Sequence, residues 1–167
     1  MRYLTAETQP VILSPGVCLL GHDGWADGRL GIYLSDHTKD AAKIYEFGNK
    51  SERERAELSA KWADESAAHL QKMLGALPAD CRRVIVATHV PPFLGNHHTD
   101  ELWLAHAVST SAGEALLEFA RANPAVTVDV CCGHTHKPDV FAAAPNLTMY
   151  VGDPALEPKS RIGVIEI

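Results

Sequence analysis

Two rhythms of apolar residues run along this chain, one stepping by two and the other by three or four, and their order predicts how it folds. Val11-Ile12-Leu13 and Val17-Cys18-Leu19-Leu20 flank the turn Ser14-Pro15-Gly16, which predicts a β-hairpin. Leu58, Trp62, Ala63, Ser66, Leu70, Met73, Leu74 and Leu77 then recur at helical steps, so residues 51–77 are expected to form one long amphipathic helix. Ser51 with Glu54 matches a capping box at its start, and Pro78 ends it. Residues 83–88, an apolar and β-branched run, read as a strand covered on both faces. A second helix is expected over residues 111–123, with Leu116, Leu117, Phe119 and Ala120 turned inward and Pro124 just beyond. Strands follow at 126–132, 139–142, 147–151 and 162–167, with a turn at Ala144-Pro145-Asn146.

Helix followed by buried strand, twice over, defines the α/β class, a mixed sheet with flanking helices. No repeat, low-complexity tract or linker interrupts it, so residues 1–167 are read as a single domain. A chain of this size buries roughly 70% of its unfolded surface, enough for a real core. Fifteen Lys and Arg against 21 Asp and Glu give a formal charge of -6, with no basic stripe to follow a phosphate backbone, so no nucleic-acid partner is expected. The longest apolar runs, at 84–87 and 126–132, fall far short of the roughly 20 residues that cross a bilayer. The start, Met1-Arg2-Tyr3-Leu4-Thr5-Ala6-Glu7, has no secretory pattern, and a cytoplasmic location is expected. Cys18, Cys81, Cys131 and Cys132 contain no Cys-x-x-Cys pair and read as small buried hydrophobes in a reducing compartment.

The candidate chemistry lies just past two of the buried strands. One continues as Thr88-His89-Val90-Pro91-Pro92, the other as Cys132-Gly133-His134-Thr135-His136. Ligands of open α/β sheets sit outside the carboxyl ends of the strands, so adjacent strands would gather His89, His134 and His136 at one edge. Neutral imidazoles suit zinc, iron and similar divalent ions, and Gly133 is expected to let the backbone turn sharply before two of them. Pro91 and Pro92 stiffen the exit from His89. His97 and His98 fall on the long segment after His89, placed to contact substrate or to stand in a solvated loop. His22, Trp25 and Asp27 occupy a glycine-rich loop after the hairpin and either face the cleft or serve the turn and its packing.

Taken together, Thr88-His89-Val90-Pro91-Pro92 and Gly133-His134-Thr135-His136 resemble the two C-terminal signature segments of calcineurin-like metallophosphoesterases. The stretch Gly21-His22-Asp23-Gly24-Trp25-Ala26-Asp27-Gly28-Arg29 is similar to a segment of a bacterial branch of that family. The resemblance implies half of a four-layer α/β/β/α sandwich and a site for two divalent ions (Mn, Fe or Zn) about 3.5–4 Å apart. His89 and His134 would bind one ion and His136 the other, for hydrolysis of a phosphomonoester or phosphodiester small molecule by metal-activated water. The family's earlier motifs, Asp-x-His, Gly-Asp-x-x-Asp and Gly-Asn-His-Asp, belong before Val11, where ten residues carry none of them. The expectation is therefore a chain incomplete or inactive alone, completed by a missing N-terminal half or paired as a homodimer. The alternative is a non-catalytic scaffold or interaction module that keeps a partial metal site.

Overall fold

The protein is described by a computed structural model covering residues 3–34, 43–96 and 101–152. The strand expected at 162–167 and both His97 and His98 lie outside these described residues. The hairpin forms as β1 (Val11–Ser14) and β2 (Val17–His22). The long helix is α1 (Glu52–Gly75), and its capping box is complete. The Ser51 hydroxyl accepts the Glu54 N–H at 3.3 Å, and the Glu54 carboxylate accepts the Ser51 N–H at 2.8 Å. β3 (Arg83–Thr88) has the predicted bounds, and α3 (Thr110–Ala122) and β4 (Thr127–Cys132) lie within one residue of theirs. β5 (Asp139–Ala144) runs two residues past its expected end, so the turn to β6 (Leu147–Val151) shrinks to Pro145-Asn146. One helix, α2 (Glu101–Ala107), has no counterpart among the elements that the sequence pattern predicts. Seven residues make only two turns, too few for a helical period to stand out.

The strands form a single mixed sheet in the order β1-β2-β3-β4-β6-β5. β2, β3, β4 and β6 run parallel, and β1 and β5 fold back as antiparallel hairpin partners at the two edges. Alternation then sets the layers. Leu20, Val84, Val86, Val128, Val130, Cys132, Leu147, Met149 and Val151 project to one face, where Leu70, Met73 and Leu74 of α1 and Ala112, Leu116 and Ala120 of α3 close over them. The core is thus a helix pair on one side of the sheet. On the other side the register places Leu19, Ile85, Asp129 and Thr148 side by side. There the nearly buried Asp129 carboxylate accepts the Arg83 guanidinium at 2.7 Å, and Leu4 of a short 3-10 turn (Leu4–Ala6) lies against Gly21.

All four cysteines are free, three buried and Cys131 half-buried. Burial pushes the Cys132 thiol up to about 12, and burial with Cys81 beside it raises Cys18 to about 11, so both stay protonated and unreactive at neutral pH. Among the described residues, no helix is long and apolar enough to cross a membrane.

Candidate functional site

Parallel strands deliver their carboxyl ends to one edge, and here three of them carry histidine. β2 ends on His22, His89 follows β3, and His134 follows β4 after Gly133. The three exits are tied to each other through the backbone: the His89 N–H donates to the Asp23 carbonyl at 3.0 Å, and the Gly133 N–H donates to the His89 carbonyl at 3.0 Å. Gly24 makes this possible. Its φ is +73°, and a Cβ there would sit 2.5 Å from the Thr88 hydroxyl.

His89 and His134 meet at this edge. The His89 Nε2 lies 3.1 Å from the His134 Nδ1, with the rings nearly perpendicular and their centroids 5.0 Å apart. The other ring nitrogen of His134 is 2.7 Å from the His106 carbonyl, a pure acceptor, so Nε2 donates to it and Nδ1 faces His89. That carbonyl comes from α2, the helix missing from the sequence reading. No sequence signal marks His106 for the role, because a backbone oxygen does it.

Two ligands of a tetrahedral zinc ion, each about 2.0–2.1 Å from the metal, stand about 3.3 Å apart. The His89–His134 spacing of 3.1 Å is close to this. Donation of the remote ring N–H to a carbonyl is also how metal-bound imidazoles are commonly oriented. A proton shared between the two nitrogens and a cation between them are alternative ways of satisfying the same geometry. The two-ion centre is a different matter. Among the described residues, no group of three or more His, Cys, Asp and Glu side chains is arranged to hold a metal ion. The nearby Asp23 carboxylate is engaged by the Tyr3 hydroxyl. The described residues therefore fit two positions of one coordination shell and do not by themselves complete a dinuclear site.

The turn that carries His134 and His136 is not made as the sequence suggested. Gly133 keeps a negative or extended φ, and a Cβ there would meet nothing within 4 Å. The left-handed residues are the histidines themselves, with φ of 68° for His134 and 54° for His136. Gly133→Ala should accordingly change the thermal midpoint by no more than the roughly 1 °C that a few tenths of a kcal/mol produces in a domain this size. A large loss would show that Gly133 does the turning. His136 is exposed and lines the same cavity as His134 without joining the ring pair.

The remaining sequence candidates separate. Trp25 stacks edge-on with Phe47 and Trp62, at 6.4 and 5.3 Å between ring centroids, and is a packing residue. Asp27 is buried and accepts from the Thr110 hydroxyl and the Ser111 N–H, which makes it a support for α3 rather than a group facing substrate. His22 remains at the edge, its Nδ1 accepting the Gly24 N–H at 3.1 Å and its ring 5.1 Å from that of His69. A cavity of about 400 Å³ adjoins the histidine pair, with Trp103 and Lys137 in its walls, neither of which sequence reasoning had singled out.

Burial, and secondarily His69, hold the His22 pKa below the ordinary histidine value, and local desolvation followed by His134 and His136 does the same for His89. A depressed folded-state pKa means that the unfolded chain binds more protons just below the unfolded value of about 6.5. Stability should therefore be fully present above that value and fall as pH drops through and below it. Urea melts between pH 8 and 5 should show this decline, and His22→Gln should flatten part of it. A decline unchanged in that variant would remove His22 as a contributor.

No family model matches the chain, and no curated protein matches it at a significant level.

Proposed function

We propose that this chain supplies the imidazole side of a metal-dependent phosphoesterase site, acting on a phosphomonoester or phosphodiester through metal-activated water. The observation that carries the reading is the His89–His134 pair, spaced at 3.1 Å, with His134 held by the His106 carbonyl, at the carboxyl ends of the parallel strands of the sheet. The sequence segments around these residues are the ones that resemble the calcineurin-like metallophosphoesterases. In this reading His89 and His134 share one ion and His136, on the same loop, turns to the other. The carboxylates that a pair of dications needs would come from polypeptide bearing the Asp-x-His, Gly-Asp-x-x-Asp and Gly-Asn-His-Asp motifs, because imidazoles alone leave four positive charges uncompensated. The sheet face of Leu19, Ile85 and Tyr150 would then be covered by that polypeptide as the other half of a four-layer sandwich.

A chromogenic phosphodiester assay in manganese, with the chain alone and combined with polypeptide carrying those motifs, tests the proposal. Turnover in the combined sample that vanishes with His134→Ala supports it. A folded chain that is metal-free and inert in both samples overturns it and favours the non-catalytic interaction module.

A further inference from the structure

The final four carbonyls of a helix have no partner within it, and His106 stands in the last turn of α2, so its carbonyl is free to accept from the His134 Nε2 at 2.7 Å. A helix of seven residues does not hold its own place, because so few turns are marginal without tertiary contacts. Side chains and neighbouring backbone have to anchor it. His106 itself is 6% exposed, and its Nε2 lies 3.1 Å from the Leu34 carbonyl, to which it donates. Its ring rests against that of Tyr33, with centroids 4.7 Å apart and planes inclined at 38°. Tyr33 is in turn tied to the long helix, its hydroxyl 3.0 Å from that of the fully buried Ser59 in α1. At the start of α2 the Ile32 N–H donates to the Glu101 carbonyl at 2.9 Å, so residues 31–34 brace the short helix at both ends. Gly31 allows the close approach: its φ is +72°, and a Cβ there would collide with the Glu101 carbonyl.

We propose that His106 is a positioning residue for His134. Its ring, held between Tyr33 and the Leu34 carbonyl, sets where its own carbonyl stands, and that carbonyl sets the direction in which the His134 Nδ1 faces His89 and an ion shared with it. The proposal rests on the metal-site part of the phosphoesterase reading and adds to it the chain of contacts, from α1 through Tyr33 and His106, that gives His134 its aim. Histidine joins two properties here that other side chains divide. Phenylalanine would keep a ring against Tyr33 but strand the Leu34 carbonyl, and glutamine would keep the N–H but give up the ring contact. For a histidine that only fills space, removing its N–H would not be felt at His134.

The readout is the ring N–H proton of His134 in the metal-free full chain, followed by NMR with isotope-labelled histidine and assigned by its disappearance in His134→Ala, with zinc affinity measured alongside by calorimetry. A ring N–H held in a hydrogen bond exchanges slowly with water, so this proton should be protected in the unaltered chain. Losing an outer hydrogen-bond partner weakens metal binding about 10–100-fold, so His106→Phe should expose the His134 proton to exchange and weaken zinc binding about tenfold, while His106→Gln should keep both within about threefold of the unaltered chain. Leu74→Ala, which loosens the core under α1, should lower stability and move neither readout. A His134 proton that exchanges freely in the unaltered chain, or stays protected in His106→Phe, overturns the proposal. So does an equal loss of protection in Leu74→Ala, which would make His106 an ordinary core residue, or a failure of His106→Gln to keep the signal. Because the proton is read without metal, these outcomes concern the positioning of His134 alone, whereas failure of the phosphoesterase reading appears in metal-supported turnover and its response to His134→Ala.

Discussion

Asp27→Ala is expected to lower the unfolding free energy by about 2–4 kcal/mol, read as a reduced midpoint in urea with an unchanged slope. The residue is 2% exposed and its carboxylate accepts four hydrogen bonds. One oxygen takes the Arg29 N–H at 3.1 Å; the other takes the Thr110 hydroxyl at 2.5 Å, the Ser111 N–H at 3.0 Å and the Arg29 guanidinium at 3.5 Å. Ser109, the residue in the N-cap position of α3, makes no side-chain cap. Asp27 does that work from 83 residues away along the sequence, and its negative charge sits where the helix dipole is positive. Loss of a local cap costs about 0.5–2 kcal/mol, and stranding buried donors adds to it. Asp27→Asn should fall between the two, since its amide keeps the shape but turns one acceptor into a donor facing other donors. A change below about 0.5 kcal/mol for the alanine variant would mean that the loop relaxes and water takes over the cap.

The second large effect concerns zinc. Calorimetric titration of the full chain should show weak binding of one ion, and both His134→Ala and His89→Ala should weaken it by more than the roughly 10–100-fold typical of losing an outer hydrogen-bond partner. His136→Ala should change it much less, because His136 stands outside the ring pair. Equal losses at all three positions would indicate three ligands on one ion. No loss at His89 would show that the 3.1 Å contact is a hydrogen bond with no role in binding metal.

The α/β class and the sheet-forming segments were legible because each long element carries its own periodicity and punctuation. Ser51, Glu54 and Pro78 bracket α1, and β3 and β4 are continuous apolar runs with few alternative uses. The meeting of His89 with His134 was legible from topology, since β3 and β4 are parallel neighbours whose ends must share an edge. What escaped prediction depends on contacts between distant residues or on single dihedrals. Asp27 carries no mark distinguishing a long-range cap from a cleft residue, and α2 is too short to announce itself. Gly133 was assigned the turn because glycine tolerates left-handed backbone at least cost, yet the following histidine takes it instead.

That last feature has a consequence for how this molecule would respond to selection. A left-handed conformation at a residue other than glycine costs on the order of 1 kcal/mol or more, and His134 and His136 adopt it within one short turn. A library randomised at these two positions and screened only for heat resistance should enrich glycine and asparagine and discard both imidazoles. Screened for metal capture, the same library should return histidine at 134. The two screens would pull one loop in opposite directions, so the more thermostable descendants of this protein would be those least able to hold an ion.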